Sequence, residues 1–261
     1  MRFKLEFSIQ GEKPFALPVG YHYELSSWIH KMLHFGNTDF TSWLQKKGYS
    51  DPNGAYRLYT FSDINFPGIS HHQDRLIIEG DIADMIISFY AHGEIEPFIE
   101  KIFAGNFFKI GDNISKVAFK VERLEKLPVP DFDKGIAVFS CISPMLIAEP
   151  NTENYLNPEK NDFEKVFFKN LMFKYANLVK FMPGNSGAGL SNLKDLEFKL
   201  LSKAKSKIVK IRTDTPHQKS VKGYLFDFRV KAPEVLLGIG YHGGFGELNS
   251  LGFGCCRLKQ N

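Results

Sequence analysis

The feature that most constrains this chain is a pattern that runs through once, halts at Leu127-Pro128-Val129-Pro130-Asp131-Phe132-Asp133, and begins again. Two closely spaced prolines lack amide donors and fix φ, so neither a helix nor a sheet ladder passes easily through that segment. Before it, residues 2–9 alternate as a strand and Tyr23 to His34 reads as a helix. Its apolar members Leu25, Trp28, Ile29, Met32 and Leu33 stand at offsets 0, 3, 4, 7 and 8, the stripe of an amphipathic helix. Gly36 ends it, and a short helix over 39–47 closes at Gly48. Strands are predicted at 56–63, 75–80 and 84–91, a helix at 94–104, and strands at 107–110 and 114–124. Beyond the prolines come a strand at 136–142, a helix at 160–180 and strands at 195–201, 205–213 and 222–230. A short helix at 234–240 and a closing strand at 253–259 complete the pattern. Each half is β-α-β-β-α-β with additions, the ferredoxin-like order. The predicted fold is α+β, two tandem ferredoxin-like (RRM-like) βαββαβ domains at 1–127 and 136–261, with a linker at 128–135.

Composition suits two packed cores, with 43% hydrophobic residues and 25 phenylalanines among 261 residues. Cys141, Cys255 and Cys256 make an odd count without CxxC spacing, which argues against disulfide staples and a cysteine zinc site. A reducing, cytoplasmic setting is expected. Met1-Arg2-Phe3-Lys4-Leu5-Glu6 alternates from its first residue, unlike a signal peptide. No apolar run approaches the roughly 20 residues that span a bilayer, so no membrane partner is expected.

Charge is uneven. Between Glu197 and Lys222 lie Lys199, Lys203, Lys205, Lys207, Lys210, Arg212, Lys219 and Lys222, opposed only by Glu197 and Asp214. Such a run is either a solvated strand pair or a surface that tracks nucleic-acid phosphates. At a period of two, Lys205, Lys207 and Val209 share one face, and Ser206, Ile208 and Lys210 the other.

The C-terminal stretch carries two Gly-apolar-Gly triplets, Gly244-Phe245-Gly246 and Gly252-Phe253-Gly254, around Glu247-Leu248-Asn249-Ser250-Leu251. Glycine permits positive φ and close backbone approach, and converging amides can cradle an anion. From Leu237 to Gly254 the sequence resembles the C-terminal signature of CRISPR repeat-processing endoribonucleases of the RAMP superfamily, the Asn249–Gly254 run most closely. Met1-Arg2-Phe3, Tyr23-x-Leu25, Leu58-Tyr59-Thr60-Phe61-Ser62 and Phe139-Ser140-Cys141-Ile142-Ser143-Pro144 extend the resemblance over nearly the whole chain.

The resemblance implies a metal-independent, cofactor-free cut within the repeat of a CRISPR precursor RNA. The 2′-hydroxyl attacks, leaving a 2′,3′-cyclic phosphate and a 5′-hydroxyl, to make guide RNAs for antiviral defence. It also implies the precursor RNA as partner, with a CRISPR effector complex as a further one, and a monomer or homodimer. Members often carry a histidine in a Leu-His-x-x-Gly context, where this chain has Leu44-Gln45-Lys46-Lys47-Gly48. A histidine suits either proton role because its pKa lies near 6.5. His30 and His34, one turn apart on the polar side of the first helix, are the catalytic candidates, with Arg57 and Lys46 to neutralise phosphate charge. RNA-binding candidates are Gly244, Gly246, Asn249, Ser250, Gly252 and Gly254 of the loop, His242 before it, and Lys205, Lys207, Lys210 and Arg212. His22 reads as a helix cap or an RNA contact, and His71-His72 as part of a flexible loop. The loop lacks the basic residue usual between the triplets. With Gln45, that leaves open a catalytically weak or inactive repeat-RNA-binding relative, and a structural RAMP subunit of an effector complex is the third alternative.

Overall fold

The computed structural model describes residues 1–35, 58–91, 96–132, 134–150, 152, 154–181, 195–211 and 218–259. The first half is built on β1 (Arg2–Gln10), whose alternate side chains Phe3, Leu5, Phe7 and Ile9 are all buried. It continues through β2 (Phe15–Pro18), α1 (His22–Phe35), β3 (Tyr59–Phe61), β4 (Ile69–His72), β5 (Arg75–Ile78) and β6 (Ile82–Phe89). Helix α2 (Glu96–Phe103), β7 (Phe107–Gly111) and β8 (Lys116–Lys126) complete it. The sheet order is β3-β6-β1-β8-β7, antiparallel throughout. Its first four members follow the ferredoxin-like order, with β7 added at the edge. A second sheet, β2-β5-β4, packs Phe15, Leu17, Leu76 and Ile78 into the same core. Trp28 of α1 stacks on Phe108 at 3.8 Å between ring centroids, so it belongs to the core as its place on the apolar stripe requires.

The second half repeats the plan. Strand β9 (Ile136–Cys141), α3 (Phe163–Phe181), β10 (Glu197–Leu200), β13 (Asp227–Lys231), α4 (Glu234–Gly243) and β14 (Cys256–Leu258) form it, with sheet order β10-β13-β9-β14. Between β10 and β13 the chain inserts a hairpin, β11 (Lys205–Ile211) and β12 (Lys219–Leu225). The core is aromatic: Phe139, Phe167, Phe228 and Phe245 are fully buried, and the rings of Phe228 and Phe245 each meet the other three.

Three expectations need correction. The single strand predicted at 222–230 is two, because the chain passes at buried Phe226 from the hairpin into the sheet. The closing strand is shorter than 253–259, since Gly254 takes φ +70° and Cys255 precedes the ladder. His71 and His72 are not in a loop; they lie on exposed strand β4, paired with Leu76 and Arg75. The predicted helix at 39–47, with Gln45 and Lys46, and Arg57 and Arg212 lie outside the described residues.

Candidate nucleic-acid interface

Helix α1 is buried over a wider sector than its apolar stripe predicts. His22 and Ser26 are as buried as Leu25 and Ile29, because the second half of the chain covers that flank. His22, 1% exposed, places Nε2 2.6 Å from Oδ1 of Asp63, just past β3. The other carboxylate oxygen accepts from Nζ of Lys207 on β11. Burial alone would raise the Asp63 pKa. The charges of His22 and Lys207 and the hydrogen bonds they donate outweigh it, and the carboxyl titrates well below the usual range. This three-residue latch ties the lysine hairpin to the N-terminal end of α1. His30 lies two turns along the helix from His22 and about 40° further round than Ser26, at the edge of the covered flank. It is half-buried. Lys31 falls on the opposite margin and lines a separate cleft against β7, with Lys109 and Lys116.

The hairpin has an inner and an outer face. Val209, Ile211 and Val221 pack inward on Leu146 and Phe253. Lys207 shares their side and spends its charge on Asp63, whereas Lys210 and Lys222 stand on the outer side beside Ile208, which is 65% exposed. Lys205 is exposed at the hairpin's start. Between the two sheets runs a cleft of about 590 Å³, lined by Arg2, Asp63, Asn65, Asp84, Tyr241 and Arg257 among others.

The glycine-rich loop is built differently from an anion cradle. All four triplet glycines have positive φ: +94° at Gly244, +71° at Gly246, +86° at Gly252 and +70° at Gly254. A Cβ on Gly254 would lie 1.8 Å from the carbonyl oxygen of Phe245, and one on Gly252 would lie 2.5 Å from the Phe61 ring. The amides of Phe245, Glu247 and Gly254 donate to the carbonyls of Gly254, Leu146 and Pro144. What converges is instead a set of acceptors. The buried ammonium of Lys174, from α3, donates to Gly244 O at 2.5 Å, Gly246 O at 2.6 Å and Asn249 Oδ1 at 2.8 Å. Asn249 Nδ2 donates in turn to the carbonyls of Phe245 and Phe253, 3.0 and 2.9 Å away. Burial pulls the Lys174 pKa from 10.5 down to about 7, against the opposing charge of Glu247. Thr60 Oγ donates to Phe253 O at 2.9 Å, so the loop is also a joint between the two halves.

Residues 125–258 match the family profile described as CRISPR associated protein Cas6, C-terminal. The chain belongs to the Cas6 family. Over 96% of its length it is 26% identical to CRISPR-associated endoribonuclease Cas6 1 of Methanocaldococcus jannaschii, covering 91% of that protein. It is 25% identical, end to end on both, to a Pyrococcus horikoshii protein named putative CRISPR-associated endoribonuclease-like protein Cas6nc. Among solved structures, one described as an RAMP protein binding different RNA substrates superposes with a TM-score of 0.72, at 25% identity and full coverage of both chains. A Cas6-related protein from Pyrococcus furiosus gives 0.74 at 24% identity, covering 100% of this chain and 98% of that one, a likeness of fold. The fold is thus the tandem ferredoxin-like arrangement of Cas6 proteins.

Within this Cas6 chain, the histidines divide by burial. His242, an RNA-contact candidate, is 8% exposed and 3.4 Å from the Met1 amino group. Burial, then the charges of Met1 and Arg2, push its pKa down to about 3. His22 is neither a cap nor a solvent-facing group but the base of the latch. His30 stays at the margin described above, and His34 is placed only as part of the last turn of α1. Gly244, Gly246, Gly252, Gly254 and Asn249 are buried in the loop's own architecture, and Ser250 is half-buried. Asp63 and Lys174 join the site without having been among the residues expected there. Asp63 had no local signal, because its partners are 41 and 144 residues away. Lys174 had one: it interrupts the apolar stripe Phe163, Phe167, Leu171 and Leu178 of α3, where a lysine has no place without buried acceptors. Among the described residues, no helix is long and apolar enough to cross a membrane, and no three His, Cys, Asp or Glu side chains gather as metal ligands.

Proposed function

We propose that this Cas6-family protein binds CRISPR repeat RNA where α1 meets the lysine hairpin, and cuts it without a metal. The carrying observation is the latch, which sets a hairpin bearing Lys205, Lys210 and Lys222 against the helix that carries His30. Endoribonuclease names among full-length relatives support the same reading. Phosphates on the outer hairpin face bring the scissile 2′-hydroxyl to His30 or His34. One imidazole takes the 2′-OH proton, an acid returns a proton to the 5′-oxygen, and lysine and arginine charge, Lys46 and Arg57 included, offsets the phosphorane. Each proton-transfer group is worth about 10²–10⁴-fold in rate. The loop's part is to seat the hairpin, with Ser250 at its edge available to the RNA. The cut RNA passes to a CRISPR effector complex in the cytoplasm.

The test is incubation with cognate repeat RNA in EDTA, followed by end-group analysis. Cleavage with a 2′,3′-cyclic phosphate and a 5′-hydroxyl is expected, and His30→Ala or His34→Ala should slow it by at least about 10²-fold. Unchanged rates in both variants remove this site. Tight binding without a cut leaves the second reading, a non-cleaving repeat-RNA binder, which Gln45 in the family's Leu-His-x-x-Gly context favours.

A further inference from the structure

Lys174 occupies an apolar helix face and is 1% exposed. All three of its ammonium donors are matched by acceptors on one loop: two glycine carbonyls of the first triplet region and the amide oxygen of Asn249. A buried charge without a bonded carboxylate is costly, so these three acceptors are what make its burial tolerable. Glu247, half-buried with its pKa raised by burial, accepts from the Ala148 amide at 3.3 Å and not from this ammonium. Through Asn249 the ammonium also holds Phe253 O, and the Phe253 ring is the floor on which Val209, Ile211 and Val221 of the hairpin rest. On its other side the same segment meets Thr60, Phe61 and the His22 ring. One cation thus governs the shape of a joint that seats both the hairpin and α1.

We propose that Lys174 is a positioning residue for RNA recognition, acting through the 244–254 loop to hold the lysine hairpin beside α1. It touches no RNA. The proposal rests on the repeat-RNA reading for its second half only, because the hold on the loop can be measured without RNA.

The experiment compares the full chain with Lys174→Met, which keeps length and apolar reach but removes all donors. Hydrogen exchange is read at the amides of Phe245, Glu247, Gly252 and Gly254, which are hydrogen-bonded in the native loop. Expected is exchange about tenfold faster there and in β11–β12, with β1, β6 and β8 keeping native protection. Repeat-RNA affinity should fall by about tenfold, and Lys174→Gln, with two N–H donors, should recover part of both losses. Native exchange of the loop in the Met variant overturns the proposal, as does a loosened loop with unchanged RNA affinity. If Lys174→Met fails to fold, Lys174→Gln carries the same two readouts. Wild-type protein that does not bind repeat RNA sinks the repeat-RNA reading, and the exchange arm then judges the hold of Lys174 on the loop separately.

Discussion

Replacing Asp63 by asparagine asks how much of the junction depends on charge. The substitution keeps shape and one acceptor but removes the anion between His22 and Lys207. A hydrogen bond to a charged group is worth about 1.5–3 kcal/mol. Two are weakened here, but asparagine still accepts from one partner. Asp63 and Lys207 also remain 25% and 28% exposed, which screens their attraction. A loss of about 2 kcal/mol follows, and at this chain length about 2–4 °C per kcal/mol gives a melting point lower by about 4–8 °C at pH 7. The sign of the pH dependence is set by the depressed Asp63 pKa. Its contribution is full above the ordinary carboxyl range near pH 4, and is lost as pH falls below that through the folded-state value. Thermal melts of wild type and Asp63→Asn should therefore differ at pH 7 and pH 5, and the gap should narrow progressively as pH falls below 4. Adding Lys207→Met should be less than additive, with a coupling of about 0.5–3 kcal/mol. Equal melting at pH 7, a gap undiminished at pH 3, or strict additivity would refute the latch.

Three further outcomes are expected. Phe245→Ala empties the meeting point of Phe139, Phe167 and Phe228, whose rings lie 4.9, 5.6 and 5.3 Å from its own, and should cost about 3–5 kcal/mol by urea unfolding. His242 is depressed to about 3, so the unfolded chain binds its proton first and stability falls as pH drops from about 6.5. Relative to His242→Gln, wild type should lose up to about 2 kcal/mol between pH 6.5 and 4.5, and parallel pH curves would contradict the burial of that ring. Lys210→Ala and Lys222→Ala should each flatten the slope of log affinity for repeat RNA against log salt by about 0.7, measured by filter binding. An unchanged slope would mean that the outer hairpin face does not track phosphates.

Much of the architecture was legible because it is local. The alternation of Phe3, Leu5, Phe7 and Ile9, and the stripe Leu25, Trp28, Ile29 and Leu33, are repeats within one element, and the buried residues obey them. The break at Phe226 was not legible, because alternation continues through 222–230 while the ladder partner changes from β11 to the sheet. The burial of His22 and Ser26 was hidden too, since a helix carries no sign of a second body covering its flank.

The glycine loop separates the two kinds of information. Its sequence alone indicated that the backbone could take positive φ and let other atoms pack where side chains normally stand, because glycine tolerates both without a Cβ clash. Whether amides or carbonyls would face the centre is a matter of what docks against the loop. Helix α3, some 70 residues earlier, brings the Lys174 ammonium there, and the loop turned its carbonyls to meet it. A cation site stands where the sequence suggested an anion site, because polarity at a joint is decided by the partner surface that tertiary packing delivers.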